Sequence, residues 1–207
     1  MILEGLVTTL TPDGQLHLAP MGATLFAEDL GPTGRPDGSL RRFLLRPFQT
    51  AQTYRNLVAH REGVFHLSDD VLLLAQSAIG AVEPFPPVRP ASHILGYVLE
   101  DACRYYEFRV VRLDDRQERA VLEAEVLASG RGREFLGFNR ARHAVLEAAI
   151  LATRVHLLPR EQIVEEFRRL APLVEKTGGP RELAAFRLLH DFLTTARPAS
   201  HSATPDP

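Results

Sequence analysis

The sequence holds a single cysteine, Cys103, so it can form neither an intrachain disulfide nor a cysteine-rich zinc site. Its eight histidines are scattered, and none forms an H-x-H, H-x-x-x-H or H-E-x-x-H pair, so no metal is expected. Charge of one sign is also lacking: 24 basic residues face 26 acidic ones, for a net charge of −2. No basic footprint for nucleic acid results. No apolar run approaches the ~18 residues of a membrane helix. The N-terminus, MILEGLVTTLTPDG, has neither the basic start nor the small-residue cleavage site of a secretory signal. A cytoplasmic protein without a membrane partner is the expectation. The G-x-S-x-G elbow of hydrolases is missing, as are G-x-x-x-x-G-K-[ST] and G-x-G-x-x-G. A phosphate-bearing ligand would therefore be held by something other than a P-loop or a Rossmann turn.

What is present reads as a globular chain, 45% hydrophobic and 24% charged over 207 residues. Apolar and β-branched runs predict strands over Ile2–Leu10, Leu16–Phe26, Leu40–Arg46 and Gly63–Leu67, with the first two joined by the turn Thr11-Pro12-Asp13-Gly14. Two longer strands are expected over about His93–Arg112, with a break near Asp101, and Arg119–Leu127. Leu122, Ala124, Val126 and Ala128 should face a core, and Glu123 and Glu125 should face away. Glu83–Pro90, EPFPPVRP, is expected to be an extended connection. Helices are predicted from Thr50 to His60 and from Val71 to Ala78, the latter capped by Ser68-Asp69-Asp70. From Asn139 the period changes to 3.6. Helices follow to about Leu157, from Pro159 to Lys176 and from Pro180 to Ala196, with Val145, Ala149, Ala152 and His156 on one stripe. The plan is an α+β protein: a small antiparallel barrel over 1–138, a helical subdomain over 139–196 packed on it, and a disordered tail over 197–207.

The stretch RPFQTAQTYRNL, Arg46 to Leu57, is unusual after an apolar strand. With Thr50 as the helix N-cap, Thr53 and Asn56 follow at steps of three on the same side, and Arg46 ends the strand before Pro47. A helix N-terminus, an arginine fork and hydroxyl donors together suit a phosphate monoester. The same residues also read as an ordinary capped helix, with Arg46 in a surface ion pair. Pro20-Met21-Gly22 interrupts the second strand, which implies an edge, a bulge or the close approach of a flat ring to the backbone. Asn139 is a natural N-cap. Arg140, Glu147 and Arg154 recur every seven residues, either as a charged edge or, for Asn139 and Arg140, as groups reaching a ligand across a subunit boundary. His66, alternating with Phe65 and Leu67, is expected to face solvent or an interface. Tyr105 and Tyr106 should point to opposite faces of their strand, one to the core. The pairs Asp69-Asp70, Asp114-Asp115 and Glu165-Glu166 read as a helix start, a turn and a solvated face.

Taken together, ILEGLVTTLTPDGQLHLAPMG, RPFQTAQTYRNL, GVFHLSDD, FNRARHAVLEAAILATR and EKTGG resemble a domain-of-unknown-function family. Its known structures are split β-barrels of the flavin-reductase and pyridoxamine-phosphate-oxidase type that bind FMN. The resemblance runs from Ile2 to about Leu193. It implies an antiparallel, Greek-key-like split barrel with a helical C-terminal extension, and a homodimer with FMN at or near its interface. By motif position, Arg46, Thr50, Thr53 and Asn56 would take the phosphate and ribityl chain, while Met21, Gly22, Pro47 and Phe48 would lie along the ring. Asn139 and Arg140 fall within the resemblance without a fixed job, and His17 stands where the family more often has asparagine. The implied function is an FMN-dependent oxidoreductase acting on a small conjugated or pterin-like molecule. The alternative is a flavin carrier or sensor without turnover. No residue has a strong claim to proton transfer.

Overall fold

The protein is described by a computed structural model over residues 1–31, 34 and 40–195. The turn formers of GPTGRPDGS, expected as a loop over Glu28–Ser39, fall largely outside these residues, as does the tail from 196 onward. The strands are β1 (Ile2–Leu10), β2 (Leu16–Leu25), β3 (Arg42–Leu45), β4 (Glu62–Leu67), β5 (Val88–Pro90), β6 (Tyr97–Leu99), β7 (Arg104–Asp114) and β8 (Val121–Arg131). The helices are α1 (Gln52–His60), α2 (Val71–Ala78), α3 (Arg140–Ala152), α4 (Arg160–Thr177) and α5 (Pro180–Thr195). No helix among the described residues is long and apolar enough to cross a membrane.

Six strands close an antiparallel barrel in the order β1-β2-β3-β8-β7-β4. The first hairpin turns where Gly14 adopts φ +83°, a region that side chains rarely enter, and Gly14 N donates to Thr11 O at 2.8 Å. Inside the barrel, Phe43 packs against Phe65 and Phe108 with ring centroids 5.5 and 5.3 Å apart, the second pair edge to face. Leu122 and Ala124 are fully buried, as the alternation of β8 requires, and Leu57 joins the same cluster from α1. Along β7, register shifts between Glu107 and Phe108 and between Val110 and Arg112 break the two-residue period. Tyr106, Glu107 and Phe108 are consequently all buried in succession, whereas Tyr105 is half-buried beneath Arg89, whose guanidinium lies 4.9 Å from its ring.

Two sequence expectations fail here for one reason. The proline-rich connection is not merely extended: Val88–Pro90 pairs with Tyr97–Leu99 as a β5–β6 hairpin. That hairpin covers β1 and β4, so His66 faces neither solvent nor an interface. It is fully buried, with Nε2 accepting from Leu99 N at 3.0 Å and Nδ1 lying 3.3 Å from Leu6 O. An acceptor Nε2 puts the proton on Nδ1, which donates to Leu6 O. Burial holds the imidazole neutral and pushes its pKa down to about 3. The hairpin is fastened further by Thr8 Oγ1 donating to Tyr97 O at 2.6 Å. The Glu107 carboxyl group accepts from Ser92 N at 2.9 Å and His93 N at 2.7 Å.

The described chain divides into two compact units, residues 1–69 with 83–136 and residues 70–82 with those from 137 onward. The second unit therefore takes α2 from the middle of the sequence and packs it with α3 and α5. Asp70 caps α2, accepting from Leu72 N and Leu73 N, and receives Arg181 of α5. Small residues dominate the buried side of α3: Ala141, Ala144, Ala148, Ala149 and Ala152 surround Val145. α3 ends at Ala152, so His156 does not continue the stripe and is exposed.

Candidate functional site

β2 pairs with β1 along its whole length, from Ile2↔Thr24 to Leu10↔Leu16, but with β3 only at Ala23↔Leu45, Thr24↔Leu44 and Leu25↔Phe43. In the same register the next pairs would be Gly22 with Arg46 and Met21 with Pro47. Proline has no N–H to continue the ladder, and the chain instead turns through Phe48 to Ala51, where Ala51 N donates to Phe48 O at 2.9 Å. The strands therefore diverge, and Met21, Gly22, Arg46, Pro47 and Phe48 line up at the divergence. The β1–β2 register runs through Pro20 without a bulge, which leaves an open edge as the reason a proline is tolerated there.

The divergent segment is stitched to the β7–β8 connection. Arg119 donates through Nε and Nη2 to Arg46 O at 3.1 and 2.8 Å, and its guanidinium lies 5.0 Å from the Phe48 ring. Gln49 Nε2 donates to Asp115 O and Gln117 O at 2.5 and 2.8 Å, and Tyr54 Oη donates to Asp115 Oδ2 at 2.8 Å. These contacts fix where α1 begins.

That beginning differs from the sequence expectation. The N-cap is Ala51, not Thr50, because the turn at Phe48–Ala51 delays the helix. No side chain caps the first turn, and no acidic residue stands in it. The amides there lack the usual Ser, Thr, Asp or Asn partner. Thr50 is exposed just outside the helix. Arg46 is also exposed, and its guanidinium has no hydrogen-bond or ion-pair partner among the described residues.

Thr53 and Asn56, expected beside Thr50, point the other way. Both are buried: Asn56 Nδ2 donates to Thr9 Oγ1 at 2.9 Å, and Thr53 Oγ1 meets His17 Nε2 at 3.3 Å. Thr9 and His17 are cross-strand partners, so the two α1 side chains clasp one rung of the β1–β2 hairpin. Burial, and then the charge of Arg55, lower the pKa of His17. The structure thus splits the four phosphate candidates into an exposed pair, Arg46 and Thr50, and a buried pair held by protein.

Arg55 is a residue that sequence reasoning passed over. Its guanidinium folds back along α1, with Nη1 donating to Thr50 O at 2.8 Å and Nε and Nη2 donating to Gln52 Oε1 at 3.2 and 2.7 Å. The only signal available was the three-residue spacing of Gln52 and Arg55, which also marks an ordinary solvated helix pair. Asn139 does cap α3, accepting from Arg142 N at 3.1 Å, while its Nδ2 donates to Thr177 O at 3.0 Å. Its carboxamide is thus engaged at both ends within the helical unit, and Arg140 beside it is exposed.

Two models of the family described as protein of unknown function (DUF447) match the chain, the N-terminal domain over residues 3–133 and a second over 139–191. Among solved structures, the FMN-bound protein MM1853 from Methanosarcina mazei, of the same family, is similar with a TM-score of 0.77. It is 23% identical, over 92% of this chain and 94% of its own. Nitrilotriacetate monooxygenase component B from Bacillus cereus gives a TM-score of 0.50 at 17% identity, over 64% of this chain and 71% of its own. A comparison with curated proteins gives no match. The fold is that of the M. mazei protein, and the chain belongs to the DUF447 family.

Proposed function

We propose that this chain is an FMN-binding flavoprotein, and that it acts as an oxidoreductase on a small conjugated substrate. One observation carries the reading: an uncapped helix start with exposed Arg46 and Thr50 stands where β2 and β3 part. The donor chemistry fits a phosphate monoester, since a guanidinium, a hydroxyl and first-turn amides all donate and, among the described residues, none of these groups needs to be pulled from a protein partner. Beside them, the open edge of β2 at Met21 and Gly22 offers backbone groups to the rim of a planar ring, and half-buried Phe48 offers apolar contact, with Pro47 buried behind it in the chain turn. The FMN bound by the M. mazei relative supports the choice among phosphate-bearing ligands.

When bound, FMN supplies the hydride- or electron-transfer chemistry. The chain's own part is then to hold the phosphate with Arg46 and Thr50 and to keep Phe48 in place through Arg119. A homodimer with the flavin near its interface, and a pterin-like substrate, extend the proposal on the strength of the family resemblance. A carrier or sensor is the second reading, favoured by the ring-end set Met21, Gly22, Pro47 and Phe48, none of which titrates. The two separate under anaerobic titration of the FMN-loaded protein with reduced nicotinamide and deazaflavin donors. An oxidoreductase loses its flavin absorption band within seconds to minutes and regains it with a defined acceptor. A carrier keeps the band.

A further inference from the structure

The fold-back of Arg55 is the end of a directed chain of hydrogen bonds that begins in the barrel. Thr9 is buried in β1, and fully buried Asn56 donates to it through Nδ2 at 2.9 Å. With its amide group committed to Thr9, Asn56 presents Oδ1 to Gln52, whose Nε2 donates to it at 2.7 Å. Gln52 must then present Oε1 in the other direction, and both Nε and Nη2 of Arg55 donate to that oxygen. Nη1 completes the set on Thr50 O. The Asn56–Gln52 and Gln52–Arg55 steps are four and three residues along one helix face, so these two links are built from α1 alone once Thr9 orients Asn56. A solvent-exposed arginine ordinarily samples many rotamers; this one is held by three of its five N–H groups, and two remain to donate elsewhere.

Resting on the FMN reading above, we propose that Arg55 is a phosphate-contacting residue that makes the site prefer FMN to unphosphorylated riboflavin. Gln52, oriented by Asn56, is the residue that positions it. Arg46 and Thr50 supply donors from the strand side of the turn, and Arg55 closes the site from the helix side. The sequence candidate Asn56 thereby acts on the phosphate through two other side chains rather than by touching it. Thr53, engaged with His17, has no part in the relay.

The test is a titration of the flavin-free protein with FMN and, separately, riboflavin, followed by flavin fluorescence, for the wild type, Gln52→Met, Arg55→Met and the double variant. The wild type should prefer FMN. Each single variant should weaken FMN binding by roughly tenfold, the scale of one charge-assisted hydrogen bond, and leave riboflavin binding unchanged. The double variant should be no worse than Arg55→Met, because Gln52 acts only through Arg55. Unchanged riboflavin binding also shows that the variants fold. A wild type that prefers FMN while Gln52→Met keeps that preference, or loses affinity for both flavins equally, overturns the positioning role alone. Additive losses in the double variant do the same. A wild type that binds the two flavins equally overturns the phosphate reading itself, and the role of Arg55 with it.

Discussion

Two polar regions of the barrel look alike in composition and differ in what their hydrogen bonds are for. Under the β5–β6 hairpin, Thr8, His66 and Glu107 each meet a backbone group of residues 92–99, and all three are buried. At the start of α1, Arg46 and Thr50 are exposed, and the helix has no side-chain cap. The first region is closed on itself and serves the fold. The second has donors left over and can serve a ligand. Saturation, rather than residue type, separates a structural polar cluster from a binding one, since an unpaired donor is tolerated only where water or a ligand can reach it.

Breaking the closed region should cost the most stability. Glu107→Ala leaves the amides of Ser92 and His93 without their buried acceptor and is expected to lower unfolding free energy by about 3 kcal/mol in urea titration. The fraction that remains folded should keep its FMN affinity. Breaking the open region should do the reverse. Arg46→Ala combined with Thr50→Ala is expected to weaken FMN binding by about 100-fold, with a thermal midpoint within a degree or two of the wild type.

His66 sharpens the same contrast through pH. Its folded pKa, about 3, lies below the ordinary histidine value of 6.5. Below pH 6.5 the unfolded chain takes up a proton that the folded chain refuses, so stability should fall with acidification at up to about 1.4 kcal/mol per pH unit. The fall should begin near pH 6.5 and continue towards pH 3, and it should be flatter in His66→Gln; chemical denaturation between pH 7 and pH 5 reads it. Half-buried His17 is shifted in the same direction and adds to the slope of both proteins. The smallest effect belongs to Ala51→Asp. It supplies the missing cap and should raise stability by about 1 kcal/mol, while its negative charge at the helix start should weaken FMN binding. A variant that gained stability and bound FMN as tightly as before would show that the open helix start is not where the phosphate sits.

Much of the barrel was legible because period-2 alternation and turn chemistry are local. Ile2–Leu10, the Thr11–Gly14 turn and the inward set of Leu122 and Ala124 follow from neighbours in the chain. The environment of His66 was not legible, because alternation reports which face a residue takes but not what covers that face. The covering hairpin pairs residues on either side of a six-residue bend through a segment rich in proline. For the site, a three-residue spacing correctly placed Thr53 and Asn56 on one side of α1, but it could not say that this side faces the β1–β2 hairpin. Thr50 separated from them because the turn at Phe48–Ala51 starts the helix later than residue types suggest. Arg55 escaped notice because its position depends on an amide orientation set by Thr9, 46 residues earlier in the chain.

The central claim, that this chain carries a phosphorylated flavin, is tested most directly by the visible absorption spectrum of the freshly purified protein, with the released chromophore identified by mass. A flavin spectrum and the mass of FMN, near one per chain, are expected, or stoichiometric uptake when FMN is added. A colourless protein that takes up no added FMN would contradict it, and would leave RPFQTAQTYRNL as the start of a helix and nothing more.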